Sequence, residues 1–370
     1  MQVVRLRAGI YKALQDAPGQ AFDYATLGET VFKALGLPFL EFANRREEPP
    51  LANVRRRYEH CFQAYLFYRA VADLRRSWRI VLPNLEQCAL LSIDYLDLDE
   101  VATADAFWQD TPLLNELPHG ERREFLCTIL DFFRLEYAIH SENYLTQSKI
   151  KENEKQFREM LRAPWTLDRN EELREPFFLR YEPLHRSARL FSKSMGPSSA
   201  LGKFIKLYVR QRGLDVALKG DHYRDFILQL MDQLEQADYL TKSTARSEKN
   251  IEVPIYRLRI EKIIWKLGDG QTVKADVIKR RSYKDQAPRP NTFFREMYRR
   301  DFSTTKRLRA EDHTAQLGTD ERQDREDRFR ADWYLDEART QLDIKRIRSA
   351  SISALFCARP PWSWGSTSAA

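Results

Sequence analysis

Hydrophobic residues in the first 190 positions recur with a helical period. Residues 54–74 carry one such stripe, formed by Tyr58, Cys61, Phe62, Tyr65, Leu66, Val71 and Leu74. Residues 121–145 carry a second stripe, formed by Phe125, Ile129, Leu130, Phe133 and Tyr137. This spacing places the apolar side chains on one face of a helix, so both segments are predicted to be helices. Their aromatic side chains could instead form a platform for nucleic-acid bases, but the helical spacing favours a role in the core.

The pattern changes between residues 195 and 270. Two amphipathic segments, 200–209 and 221–238, are predicted to be helices. A polar stretch at residues 243–250 then separates residues 239–242 from the apolar run 255–265, which predicts a two-stranded ribbon with a polar tip. Helices followed by such a ribbon have the order of a winged helix, with the polar tip as the wing.

Basic residues are frequent in this winged-helix-like module. Winged helices often contact the phosphate backbone of a duplex through lysine and arginine side chains. The candidate nucleic-acid-binding residues here are Lys203, Lys206, Arg210, Arg212 and Lys219. The other role open to a winged helix is that of a packing module without a ligand.

The third part of the chain covers residues 290–357. A first strand is expected around residues 306–310, and a charged helix follows, with Thr319 as its N-cap and acidic residues in its first turn. The apolar run at residues 353–357 is predicted to be a second strand. Strand, loop, helix and strand form one edge of an α/β domain, so the fold class expected for the chain is mainly α with α+β parts.

The chain is long enough for two or three domains and carries a modest positive charge. Its 370 residues include 61 lysines and arginines against 54 aspartates and glutamates, a formal net charge of +7. This balance permits an anionic partner such as nucleic acid, and it permits equally well a basic surface that binds nothing. No apolar run approaches the roughly 20 residues that span a bilayer. A cytoplasmic protein without a membrane partner is therefore predicted.

Two patterns that resemble metal sites lack the required spacing. The four cysteines, Cys61, Cys88, Cys127 and Cys357, lie far apart and form no CxxC pair, which argues against a zinc site or a disulfide framework. The acidic stretch 94–100 lacks the glycine and the ligand spacing of a calcium loop. No metal ligand and no catalytic residue is predicted.

A glycine-containing segment, Gly-Pro-Ser-Ser-Ala-Leu-Gly-Lys-Phe at residues 196–204, resembles a phosphate-binding P-loop. A P-loop has four residues between its glycines and a Ser or Thr after the lysine to hold magnesium. Here five residues separate Gly196 from Gly202, and Phe204 follows Lys203. The segment is rejected as a P-loop, and no acidic helicase motif accompanies it, so no ATPase site can be assembled from this chain.

Several segments nevertheless resemble one helicase family. The sequence His-Thr-Ala-Gln-Leu at 313–317, the charged helix that follows and the strand Ala-Leu-Phe-Cys at 354–357 resemble the second RecA-like domain of large bacterial superfamily 2 DEAD/DEAH-box helicases. The resemblance is to the branch of this family that carries a cysteine cluster later in its chain. Residues 76–91 resemble its helical insertion between the two motor domains, and residues 1–14 resemble the segment after an Asn-Arg-Gln-Asp-Ala motif.

The resemblance implies a domain plan of a helical insertion at 1–190, the winged-helix-like module at 195–270 and a partial second RecA-like domain at 290–357. In intact members of the family, ATP and magnesium bind between two RecA-like domains. The first would precede Met1, and the arginine-finger motif and cysteine cluster would follow Ala370. The chain is therefore expected to be a truncated part of an ATP-dependent helicase that binds no cofactor itself, with the missing motor domain as a partner if it is encoded separately.

The same resemblance places His313, Thr314 and Gln316 in a loop after a strand. These side chains are candidates for contact with a phosphate backbone, and loop capping is an equally good role for them. DNA is the expected nucleic acid, although the sequence does not exclude RNA. Two other interpretations stay open: a stand-alone DNA-binding winged-helix protein, and a decayed gene product without a function.

The last residues, 358–370, show no periodicity and carry two prolines and two tryptophans. In the helicase family the preceding strand leads into a motif of the type Ser-Pro-Thr-Met-Glu-Leu-Gly-Val-Asp-Ile. Codons for Met-Glu-Leu-Gly-Val-Asp-Ile-Ser, read one base later, can encode Trp-Ser-Trp-Gly-Ser-Thr-Ser, which is the sequence of residues 362–368. The tail is therefore expected to be a frameshifted, disordered segment.

Overall fold

The computed structural model describes residues 2–75, 82–185, 187, 190–213, 218, 220–278, 288–300, 309–311 and 353–355. The chain divides into two compact units, Met1–Arg300 and Asp301–Ala370. Helices and strands both contribute to the larger unit, so the protein belongs to the mixed α+β class. None of the helices in the described ranges combines the length and the hydropathy that are needed to cross a bilayer.

The helices of the larger unit follow the amphipathic segments of the sequence. They are α1 (Gln2–Asp16), α2 (Tyr24–Leu35), α3 (Phe39–Phe42), α4 (Ala52–Asp73), α5 (Leu98–Thr103), α6 (Asp105–Trp108), α7 (His119–Leu135), α8 (Gln147–Met160), α9 (Ala200–Arg212), α10 (Asp221–Gln236) and α11 (Thr292–Tyr298). Local signals set the ends of α9: the Ser199 hydroxyl caps its first turn, and Gly213 adopts a left-handed conformation with φ of 62° after its last.

The strands of the larger unit form two sheets. They are β1 (Ala21–Phe22), β2 (Leu91–Tyr95), β3 (Ile139–His140), β4 (Phe178–Arg180), β5 (Ser192–Ser194), β6 (Leu240–Arg246), β7 (Glu252–Arg259) and β8 (Ile263–Leu267). One sheet has the order β1-β8-β2 and is antiparallel. The other sheet contains both parallel and antiparallel pairs. In it, β6 pairs with one edge of β7, and β3 and β4 both pair with the opposite edge of β7. Strand β5 pairs with β4.

The helix predicted at residues 54–74 is confirmed as α4, and its aromatic residues lie in the core. The Phe62 ring is fully buried, stacks on Phe42 with 4.5 Å between ring centroids and meets Trp165 edge-on at 5.4 Å. The prediction that these rings pack inside the protein is therefore confirmed. Phe62 and Tyr65 are fully buried and therefore closed to stacking bases, whereas Tyr58 is half-buried and packs against the core.

The helix predicted at residues 121–145 is confirmed only as far as Leu135. Beyond that point the prediction is wrong, because Tyr137 adopts a left-handed conformation with φ of 59°. The Tyr137 and Ala138 amides donate back to the carbonyls of Arg134 and Phe133 and close the helix. The chain then enters strand β3 at Ile139.

The predicted helices at 200–209 and 221–238 are confirmed as α9 and α10. The ribbon also exists, as the antiparallel hairpin β6–β7, but its second strand was predicted too long. The chain leaves this sheet after Arg259, and a 3-10 turn at Ile260–Lys262 leads into β8 of the other sheet. Trp265 of β8 stacks on Phe22 there, with 6.4 Å between ring centroids.

In the smaller unit, strands β9 (Arg309–Glu311) and β10 (Ser353–Leu355) pair in parallel, with Ser353 opposite Arg309. The apolar run predicted to be a strand at 353–357 is thus a strand over its first three residues. The predicted helix from Thr319, the candidate residues His313, Thr314 and Gln316, and the tail 358–370 lie outside the described residues.

Candidate nucleic-acid interface

Helix α9 is anchored by its apolar face. Leu201 and Ile205 are fully buried, and Tyr208 packs against Phe125 of α7 with 4.9 Å between ring centroids. Phe204 stacks beside them on Phe125 at 6.1 Å. This packing fixes the rotation of α9 and therefore decides which of its basic residues face the solvent.

Two of the predicted residues, Lys203 and Arg210, lie on the outer face of α9. Both are exposed, and no ion pair involves either of them within the described part of the chain. Leu207 lies between them and is 48% exposed. Residues at positions 203, 207 and 210 share one face of a helix, so the two cations and the leucine form a continuous strip.

The other two described candidates on α9 are engaged within the protein. The Lys206 ammonium donates to the Pro197 carbonyl at 3.3 Å and lies 5.5 Å from the centre of the Tyr223 ring. The Arg212 guanidinium donates to Glu121 at 2.6 Å and lies 3.8 Å over Tyr208. The hydrogen bond that Arg212 donates to Glu121 raises the pKa of Arg212, as expected for a compensated cation. The fifth candidate, Lys219, lies outside the described residues.

The P-loop-like segment before α9 is packed against itself. The Gly202 amide donates to the Ser199 hydroxyl at 3.0 Å, the Ser199 amide to the Gly196 carbonyl at 2.9 Å, and the Gly196 amide to the Ser194 hydroxyl at 3.0 Å. A Cβ atom at Gly202 would lie only 2.5 Å from the Gly196 carbonyl oxygen. Three amides that a phosphate cradle would use are therefore bonded internally.

Helix α10 precedes the hairpin in the chain, which is the place of the groove-binding helix in the predicted winged helix. It carries four carboxylates and one arginine. Asp221 and Asp225 are exposed, and Asp232 accepts hydrogen bonds from Lys242 and Tyr256, each at 2.8 Å. Carboxylates repel phosphates, so α10 is not a candidate for contact with nucleic acid. The exposed cations Lys203 and Arg210 lie on α9.

The β6–β7 hairpin adds two cations that sequence reasoning missed. Arg246 and Lys249 are exposed at the tip, and neither forms an ion pair with any described residue. The turn is closed by the Ser247 amide, which donates to the Ile251 carbonyl at 2.8 Å. The polar tip was predicted from the sequence to be a wing, and the basic residues within it could have identified these two cations as candidates.

Metal-ligand side chains do not gather into a site: among the described residues, no group of three or more His, Cys, Asp or Glu side chains could hold a metal ion. The three described cysteines are unpaired and buried, and burial raises the pKa of Cys61 to about 12. A buried neutral thiol is a poor nucleophile.

Comparison with protein-family models, with curated proteins and with solved structures found no match to the chain.

Proposed function

We propose that the larger unit binds the phosphate backbone of nucleic acid through the outer face of α9. The observation that carries this proposal is the strip of Lys203, Leu207 and Arg210, where two exposed cations lack a carboxylate partner within the described ranges. Unpaired cations on one helix face attract a polyanion without reading its sequence. DNA is the proposed nucleic acid.

We further propose that the chain is part of an ATP-dependent helicase and lacks the ATPase site of such an enzyme. The resemblance of residues 313–317 and 354–357 to a second RecA-like domain supports this proposal. The parallel pairing of β9 with β10 is compatible with it, because parallel strands require a crossover connection of the kind found in α/β domains. A separately encoded first motor domain would then be the protein partner.

Binding to duplex DNA should weaken when the strip on α9 is neutralised. In the double variant Lys203→Gln, Arg210→Gln we expect the slope of log affinity against log salt to fall by about 1.8, because each neutralised phosphate contributes about 0.9. Fluorescence anisotropy at several salt concentrations measures this slope. Arg212→Gln is the matched control on the same helix, and it should change the slope less because Glu121 already compensates Arg212.

Equal slopes for the double variant and the wild type, with both proteins folded, would overturn the α9 interface. Tight binding by the chain alone at physiological salt would favour a stand-alone DNA-binding protein over a helicase part.

The chain is expected not to hydrolyse ATP. Phosphoryl transfer depends on a positioned magnesium ion and on groups that stabilise the developing charge, and the amides at 196–202 are bonded internally. A phosphate-release assay with and without DNA should give the rate of the protein-free background. DNA-stimulated release that disappears in Lys203→Ala would contradict this prediction and would make the segment before α9 a working phosphate loop.

A further inference from the structure

An open groove of about 760 Å³ lies between helices α4 and α8. It is lined from α4 by Arg57, Tyr58 and Ala64 and from α8 by Asn153, Gln156 and Met160. Arg45 lines one end of the groove. At that end the neighbouring Asn44 amide donates to the carbonyl of Met160, the last residue of α8, at 2.8 Å. A groove of this size can enclose much of a small organic molecule.

The end of the groove at Arg45 carries two unpaired cations. The Arg45 guanidinium lies 5.8 Å from the centre of the Tyr58 ring, and Arg57 precedes that tyrosine on α4. Both arginine side chains are exposed, and neither forms an ion pair with a described residue. The carboxylates that line the groove already have lysine partners on α8, in the pairs Lys149–Glu152 at 2.9 Å and Lys155–Glu159 at 3.9 Å. An anion would therefore bind the two arginines without breaking an ion pair.

Beyond this cationic end, the groove offers apolar surface along α4. Cys61 and Ala64 follow Tyr58 at intervals of three residues, which keeps them on the same side of the helix. Asn153 and Met160 lie seven residues apart on α8, so the groove extends over about 10 Å along that helix. This length is close to that of a nucleotide measured from its phosphate to the far edge of its base.

The end of the groove at Asn153 offers hydrogen-bond acceptors. The Asn153 amide nitrogen donates to the Lys149 carbonyl at 2.8 Å and to the Tyr68 hydroxyl at 3.4 Å. The Gln156 amide nitrogen donates to Glu152 at 3.3 Å. No hydrogen bond within the described ranges uses the oxygen of either amide. Side-chain amide oxygens accept from N–H groups, so this end suits the amino group of a heterocycle.

We infer that the groove between α4 and α8 binds an organic phosphate with the chemistry of a nucleoside monophosphate. The planar donor forks of Arg45 and Arg57 match phosphate oxygens, and the contact with the Tyr58 ring orients the first fork. The apolar surface of α4 covers the body of the ligand, and the amide oxygens accept from the amino group of its base. This site goes beyond the proposed function, because none of its residues lies on α9.

Isothermal titration of the full chain with adenosine monophosphate tests the site. We expect binding by the wild type and a loss of about tenfold or more in affinity for Arg45→Gln and for Arg57→Gln, since each removes hydrogen bonds between a cation and a phosphate. Both side chains are exposed, so both variants should fold, which thermal unfolding checks. Arg56→Gln is the matched control with wild-type affinity, because Arg56 is an exposed neighbour on α4 that does not line the groove.

Two further probes test the apolar surface and the amide oxygens. Inorganic phosphate should bind the wild type about tenfold or more weakly than adenosine monophosphate, because it buries no apolar surface. Purine riboside monophosphate lacks the amino group and should bind about fivefold more weakly, the effect of one neutral hydrogen bond. Wild-type affinity for adenosine monophosphate in either arginine variant, or no binding by the wild type, would overturn the site. Inorganic phosphate that binds as tightly as the nucleotide would overturn its assignment to an organic phosphate.

A competition experiment identifies the source of the phosphate. A 5′-phosphorylated single-stranded oligonucleotide that displaces adenosine monophosphate from the wild type indicates that the groove holds the end of a nucleic-acid strand. Nucleotide binding without displacement indicates a free nucleotide, and either result supports the site. Loss of the salt-dependent binding in Lys203→Gln, Arg210→Gln is a separate measurement, so failure of the α9 interface and failure of this site are distinguishable.

Discussion

Replacing Arg134 with methionine is expected to lower the free energy of unfolding by about 3–5 kcal/mol, the usual cost of removing one partner from a buried ion pair. Arg134 is 2% exposed and donates to both oxygens of Glu86, at 2.7 and 2.9 Å, and to Asp131 at 2.8 Å. Methionine fills a similar volume but leaves the buried carboxylate of Asp131 and the half-buried carboxylate of Glu86 without this cation. Urea denaturation followed by circular dichroism measures the difference.

The control for this experiment is Arg123→Met on the same helix. Arg123 bonds to Asp94 at 3.0 Å and to Asp99 at 2.5 Å, but its side chain is partly exposed, so its loss should cost about 1 kcal/mol or less. Equal destabilisation by the two substitutions would show that burial does not determine the contribution of Arg134.

The effect of Arg134→Met should also depend on pH. Burial alone raises the pKa of Asp131, but the charges of Arg134 and Lys274 outweigh it and hold that pKa below the usual value. A lowered pKa in the folded state stabilises the protein above the unfolded pKa of about 3.9, and this contribution is lost as the pH falls through the folded value. The wild type should therefore lose more stability below about pH 4 than Arg134→Met does.

Replacing Phe62 with alanine is expected to cost about 3–5 kcal/mol of stability, because a fully buried aromatic ring leaves a cavity that its neighbours fill only in part. Phe42, Trp165 and Phe32 surround the ring, with centroids at 4.5, 5.4 and 6.0 Å. Differential scanning calorimetry or urea denaturation measures the loss. The affinity for single-stranded oligonucleotide should stay the same under conditions where the variant is folded.

Phe293→Ala makes the same chemical change at a position that is 68% exposed, and it should alter stability by about 0.5 kcal/mol or less. A Phe62→Ala protein of normal stability and reduced affinity for single strands would instead make the ring a platform for bases and would refute its assignment to the core.

The surroundings of the residues predicted for nucleic-acid binding could be predicted only in part from the sequence. The helix predicted at 200–209 contained Lys203 and Lys206, whereas α9 continues to Arg212 and so also carries Arg210 and Arg212. The sequence did not predict that the charge of Arg212 is compensated, because its partner Glu121 belongs to another helix far away in the chain.

The sequence by itself determined the helical stripes and the order of α9, α10 and the hairpin. These features depend on side chains within one or two turns of each other, so the local pattern contains them. Only the tertiary structure decided that β8 joins the sheet of Phe22 rather than extending the hairpin, and which cations keep an unpaired charge. Each of these outcomes depends on contacts between residues distant in sequence, which a local pattern does not record.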